Sequence, residues 1–314
     1  MAEGILGLHH ITAIAGDAQR NYDFYTKVLG MRLVKKTVNF DDPGTYHFYF
    51  GDEIGSPGTI LTFFPWPRVK QGQNGAGMAT DIGYAVPVDS LEFWEARLDQ
   101  YQIPHSGQEE RFGEKTLRFA DPDGLVLSLI AVQEDGSRKG WQTPEISPEH
   151  AIRGFHTVTL TLRNNQATAS ILTELFEYRL VGKEGNISRY QTDAVGQAAF
   201  VDLLEWPDAP RGINAGGTNH HVAFRVKDEQ ALMDIRQKVV ARGLHITEKI
   251  DRDYFYSLYF REPGGVLFEI ATDNPGFAVD ESVENLGTSL RLPSRYEEIR
   301  ERIEEALPEL IQSS

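Results

Sequence analysis

The chain switches four times from apolar–polar alternation at period two to helical spacing. The first stretch, HHITAIAG from His9, predicts a strand. DAQRNYDFYTKVLG then predicts a helix with Asp17 as its N-cap and Gly30 closing it, and MRLVKKT returns to strand spacing. The same order follows from Asp81 (DIGYAVPV, then DSLEFWEARLDQY), from His156 (HTVTLTLR, then NQATASILTELF) and from His221 (HVAFRV, then KDEQALMDIRQKVVARG).

Internal matches make this a duplication. VLGMRLVKK, Val28 to Lys36, matches LFEYRLVGK, Leu175 to Lys183, so the first and third units correspond. DPDGLVLSLI, Asp121 to Ile130, matches EPGGVLFEI, Glu262 to Ile270, so the second and fourth correspond. A tandem duplication of a two-unit domain is therefore expected, with 1–132 as the N-terminal pair, 133–151 as a polar linker, 152–273 as the C-terminal pair and 274–314 as an extension. SRYEEIRERIEEALPEL in that extension predicts a charged surface helix. A single unit leaves one sheet face bare, whereas two units curling together enclose a cleft lined by every second strand residue.

Composition narrows the partners. With 46 acidic and 31 basic residues the formal charge is -15, which disfavours nucleic acid and anionic membrane surfaces and suits a neutral or weakly acidic small molecule. The absence of cysteine removes disulfides, thiolate metal sites and a cysteine nucleophile, leaving imidazole and carboxylate as metal-binding groups. No signal-peptide pattern and no membrane-length apolar run is present, so a cytoplasmic protein is expected; a homo-oligomer is compatible with the sequence.

The candidate chemistry lies in two histidine doublets at strand starts, His9–His10 and His220–His221. Aligning the four units makes His10, Asp81, His156 and His221 equivalent, and puts Phe63, Ser128 and Glu269 in the last-strand slots of the first, second and fourth units. A carboxylate in the apolar strand GVLFEIAT costs several kcal/mol to bury unless it is paired, protonated or bound to a cation. Two imidazoles and one carboxylate form the facial set that leaves metal positions open and favours Fe(II), with Mn(II) as near substitute. Strand position alone leaves His156 as an alternative to His10. The bland reading has the histidines as ordinary strand residues and Glu269 paired with Arg252 or Arg261.

With these residues in place, LHHITAIAGDAQRNYDFYTKVLGMRLVKKTVNFDDPGTYHFYFGDEIGSPGTILTFFPWP resembles the vicinal-oxygen-chelate superfamily of glyoxalases, bleomycin-resistance proteins and extradiol dioxygenases. Within it the segment is most similar to the hydroquinone-type ring-cleaving dioxygenases, the 2,6-dichlorohydroquinone 1,2-dioxygenase-like group. The resemblance implies an α+β fold of four βαβββ modules paired into two curved, open-barrel sheets. It also implies an extradiol-type enzyme that opens a small aromatic substrate with O2 on Fe(II) held by His10, His221 and Glu269. Supporting roles fall to His9, Thr12 and His220, and substrate-facing roles to Arg252 and Tyr259 in DRDYFYSLYFREPGG. Catechol-type members take all three ligands from the second half, which would put His156 in place of His10; the doublet favours His10. A glyoxalase-like isomerase or lyase, and a metal-free aromatic-binding protein, are the alternative functions. The isomerase chemistry uses two last-strand carboxylates, and Phe63 and Ser128 leave this chain short of them.

Overall fold

The structure is a computed structural model describing residues 4–133 and 138–312; part of the expected linker, 134–137, lies outside the described residues. Module one contributes strands β1 (Leu8–Ala15), β2 (Arg32–Val38), β3 (Tyr46–Gly51) and β4 (Ile60–Pro65), and module two β5 (Met78–Pro87), β6 (His105–Arg111), β7 (Glu114–Ala120) and β8 (Val126–Val132). Module three contributes β9 (Phe155–Leu162), β10 (Arg179–Glu184), β11 (Ile187–Gln191) and β12 (Phe200–Glu205), and module four β13 (Thr218–Val226), β14 (Ile250–Asp251), β15 (Phe255–Arg261) and β16 (Leu267–Pro275). A helix follows the first strand of each module. The first, Ala18–Asp23, is capped by the Asp17 carboxylate accepting from the Arg20 amide, and ends through a π turn at Phe24–Val28 before Gly30 at φ +63°.

The sixteen strands form two curved eight-stranded sheets, an α+β fold. One runs β14-β15-β16-β13-β1-β4-β3-β2 and the other β10-β11-β12-β9-β5-β8-β7-β6. The pairing therefore crosses the halves of the chain: module one joins module four, and module two joins module three. The expectation that each half closes its sheets on itself gives way to this arrangement. In every module the first and last strands pair in parallel, leaving one open edge on the first strand, and β1 uses that edge to pair antiparallel with β13.

The register corrects two sequence equivalences. Thr12 lies opposite His221 and His10 opposite Ala223, whereas in the second sheet Asp81 lies opposite Thr159 and Gly83 opposite Thr157. Thr157, not His156, is thus the counterpart of His221. On the last strands, Glu269 pairs with Ala223, Ser128 with Gly83, Thr62 with Thr12 and Asp202 with Thr159. The slot in module one is therefore Thr62. Phe63 faces the other way and packs against Tyr25 with ring centroids 4.6 Å apart, since a slip of one residue moves a side chain to the opposite face.

Helix-side aromatic residues such as Tyr25, Phe48, Phe50 and Phe63 fill the core of the first sheet, leaving its other face to His10, Thr12, His47 and Tyr49. The tail beyond β16 straps the outer strand β2: buried Lys35 meets Asp280 and Glu281, both at 2.5 Å. A short helix at Arg300–Ala306 lies on the surface with Ile303 tucked inward. No helix among the described residues is long and apolar enough to cross a membrane.

Candidate metal centre and aromatic pocket

Neighbouring strand residues ordinarily face opposite ways, yet within each doublet the two imidazoles meet, with Nδ1 atoms 2.9 Å apart in His9–His10 and 2.7 Å apart in His220–His221. The cause is a pair of β-bulges. Between Leu8 and His10 strand β1 advances two residues against one on β13, making His9 the extra residue; between Thr12 and Ala13 the excess is on β13, at His220. The second sheet carries the same two bulges at Thr80 and His156.

The bulges bring His10, His221 and Glu269 together, with one ligand atom from each lying within 4.8 Å of the others. His10 Nε2 is 3.1 Å and His221 Nε2 2.8 Å from Glu269 Oε2, and all three residues are buried. Ser257 donates its hydroxyl to Glu269 Oε1. Burial works to raise the Glu269 carboxyl, but positive charge on the two neighbouring imidazoles, when they are protonated, outweighs it and holds the group well below the usual carboxylate range. Despite their closeness, His221 Nε2 and Glu269 Oε2 are not aligned for a hydrogen bond, and neither atom has another partner.

The outer histidines set the tautomers. His9 Nε2 lies 3.1 Å from the Thr272 carbonyl oxygen, an acceptor only, so this nitrogen carries the proton and donates it. Burial keeps His9 neutral, pushing its pKa well below the ordinary value with His10 adding to the effect. His9 Nδ1 is then a lone pair that accepts from His10 Nδ1 at 2.9 Å, which leaves the His10 Nε2 lone pair turned toward Glu269. His220 and His221 repeat the contact, with Nδ1 atoms 2.7 Å apart. Lone pairs facing a buried carboxylate repel unless a cation lies between them. The donor set, two imidazoles and a carboxylate with unpartnered atoms, thus fits a divalent metal bound from one side.

A cavity of about 210 Å³ opens onto this centre. Its walls include Phe40, Phe64, Trp66 and Phe255, with Thr12, His47 and Arg252 as polar groups. The predicted residues divide here. Thr12, His220, Arg252 and Tyr259 line the pocket, whereas His9 is buried behind His10. Arg252 donates from Nε to the Tyr259 hydroxyl at 3.3 Å and stacks over that ring at 5.3 Å. Burial works against the Arg252 charge, but Tyr259 and Glu269 outweigh it and raise its pKa; burial also raises that of Tyr259, which keeps its proton. Burial pushes His220 down to about 3, with His221 adding to the shift. His156 belongs to the other sheet, where its Nε2 meets Glu114 at 2.7 Å; there Asp202, in the slot matching Glu269, is paired with Arg189 at 2.8 and 2.9 Å.

Sequence reasoning did not single out His47, Tyr49 and Thr62. Burial pushes the His47 pKa well below its ordinary value, so the ring is neutral. His47 Nδ1 lies 2.9 Å from the Tyr49 hydroxyl and His47 Nε2 2.8 Å from Thr62 Oγ1, so the neutral ring hydrogen-bonds both hydroxyls, donating to one and accepting from the other. Thr62 Oγ1 in turn hydrogen-bonds Thr12 Oγ1 at 2.9 Å, and Thr12 lines the pocket. The available signal was the i, i+2 spacing of His47 and Tyr49, which sets them on the face opposite Phe48 and Phe50.

The profile of the glyoxalase/bleomycin resistance protein/dioxygenase superfamily matches residues 7–129 and 154–270. The chain belongs to this superfamily. One superfamily relative, MhqO of Bacillus subtilis (strain 168), provisionally named a ring-cleaving dioxygenase, is 46% identical over 98% of this chain and 97% of its own length. The chlorohydroquinone/hydroquinone 1,2-dioxygenase of Sphingobium indicum is 38% identical over 96% of both chains. A crystal structure of a provisionally named dioxygenase from B. subtilis subsp. subtilis str. 168 superposes with a TM-score of 0.95 at 45% identity, covering 99% of each chain. Similarity to these superfamily members covers nearly the whole chain and therefore both sheets.

Proposed function

We propose that this protein is an extradiol-type ring-cleaving dioxygenase that opens a hydroquinone-type or catechol-like ring with O2, using Fe(II), or Mn(II) as a near substitute, held by His10, His221 and Glu269. The observation that carries the reading is the buried His–His–Glu set beside an aromatic-walled pocket, with His221 Nε2 and Glu269 Oε2 left without a hydrogen-bond partner. The similarity to named ring-cleaving dioxygenases over nearly the whole chain supports the same chemistry.

Bound by this set, the metal supplies Lewis acidity toward a ring hydroxyl and a path for electrons from ring to O2. The protein residues do the rest. Phe64, Trp66 and Phe255 hold the ring and exclude water. Arg252 stabilises negative charge on a ring oxygen, and the pocket-lining Thr12 offers its hydroxyl to an anionic oxygen. Tyr259 acts as a proton donor because burial keeps its hydroxyl protonated. Of the outer histidines only His220 lines the pocket, so it is the one placed to exchange a proton with a ligand, while His9 orients His10. Both atoms of O2 enter the product: one completes a carboxylate at the hydroxyl-bearing carbon and the other an aldehyde at its neighbour. A glyoxalase-like reaction lacks its second carboxylate, because Thr62 holds the matching slot.

Anaerobic reconstitution with Fe(II), followed by O2 electrode measurements with methylhydroquinone, chlorohydroquinone, catechol and the methylglyoxal–glutathione adduct, tests the assignment. One O2 consumed per hydroquinone opened is expected. Absence of uptake with every aromatic compound would refute it.

A further inference from the structure

A second, larger cavity also reaches the His220–His221 doublet. It is an open groove of about 860 Å³ built from the start of β5, the segment after β9, the loop before β13 and the β15–β16 turn. The charged side chains lining it are Arg163, Arg211 and Arg261, and no Asp or Glu contributes to its walls. That is against the trend of a chain with 46 acidic and 31 basic residues.

The guanidinium groups are largely uncommitted. Arg163 Nε donates to the Ala209 carbonyl at 3.0 Å and Arg261 Nη1 to the Gly265 carbonyl at 2.6 Å, and none of the three arginines is ion-paired among the described residues. A fourth polar group waits in the wall: Asn219 is 2% exposed, its Nδ2 donates to the Ala79 carbonyl at 3.1 Å, and its Oδ1 has no partner. Three guanidinium groups lining one groove without a carboxylate create a local positive field suited to a carboxylate ligand, and a free amide oxygen in the same wall suits a hydroxyl on the same ligand.

On the reading given above, the substrate is neutral and the product is a hydroxylated, acyclic acid. Only the product has a charge for the groove to recognise, and it forms beside the doublet that both cavities share. We propose that the groove is a binding site for small acyclic carboxylates and that it receives the ring-opened acid as it leaves the metal centre.

Calorimetric titration of the metal-loaded protein with cis,cis-muconate, a six-carbon acyclic dicarboxylate with no ring to open, tests the site. Saturable binding is expected, weakened roughly tenfold or more in Arg163→Ala/Arg211→Ala/Arg261→Ala, whose exposed positions leave the core intact. His10→Ala should keep the binding, which separates the groove from direct coordination at the metal. No binding by the wild-type protein, or binding lost in His10→Ala but kept in the triple variant, would overturn the proposal. O2 uptake with hydroquinones is scored in parallel on wild-type protein. Failure there removes the dioxygenase reading and leaves the carboxylate site to stand on its titration, whereas failed titration with intact uptake removes the groove alone.

Discussion

His9 reaches from strand β1 to the carbonyl oxygen of Thr272, three residues beyond Glu269 on β16, and thereby fixes which nitrogen of His10 faces the carboxylate. Replacing His9 by Phe keeps a buried ring but deletes both hydrogen bonds. Iron affinity measured by chelator competition should fall about 10- to 100-fold while the protein stays folded. Unchanged affinity would show that His10 needs no orienting partner.

His10→Ala should cost most of the bound metal, and His156→Ala should cost none, as read by elemental analysis of the reconstituted proteins. His156 is committed to Glu114 in the other sheet, and Asp202 there is neutralised by Arg189. Loss of metal in the His156 variant would contradict the assignment of the ligand set to the first sheet.

A continuous hydrogen-bond chain links Tyr49 through His47 and Thr62 to the pocket-lining Thr12. Tyr49→Phe removes the outer end of this chain while keeping the ring, and Thr12→Val removes the hydroxyl at its pocket end. Each should lower kcat roughly tenfold or more with little change in KM, and the double variant should fall no further than Thr12→Val alone. Additive losses, or a fully active Tyr49→Phe, would break the link.

Acidification should destabilise the metal-free protein. Burial pushes His220 to about 3, against an unfolded value near 6.5. Between these values the unfolded chain binds a proton that the folded one refuses, so stability is complete above about pH 6.5 and is lost as pH falls. His9 and His47 act in the same direction, as does Glu269 at lower pH, while Asp121, raised to about 6 chiefly by burial, opposes them. His220 alone contributes a loss of roughly 2 kcal/mol by pH 5. Urea midpoints at pH 7 and pH 5 measure this; an equal or higher midpoint at pH 5 would contradict it.

The repeat was legible because strand and helix periods and caps such as Asp17 are local. Which module pairs with which was not, because all four present the same alternating first strand and the choice depends on how edges and bulges match across the fold. The bulges at His9 and His220 leave the hydrophobic alternation of β1 and β13 intact, so the sequence does not show that both rings turn to hydrogen-bond their neighbours, His220 from the pocket wall and His9 from behind His10. The bulge at His156 explains the slip there, whereas at Phe63 the slip comes from the turn before β4, which places the slot five residues after Pro57 instead of the six that separate Pro122 from Ser128 and Pro263 from Glu269. Glu269 was legible because a carboxylate in an apolar strand demands a partner. Thr62, His47 and Tyr49 carry no such signal, since their function depends on hydrogen bonds across three strands.

The most direct test of the metal centre is anomalous diffraction at the iron absorption edge from crystals of protein reconstituted anaerobically with Fe(II). The account predicts one peak per chain, roughly 2.0–2.2 Å from His10 Nε2, His221 Nε2 and a Glu269 carboxylate oxygen. A peak among His156, Glu114 and Asp202, or none within reach of Glu269, would contradict it.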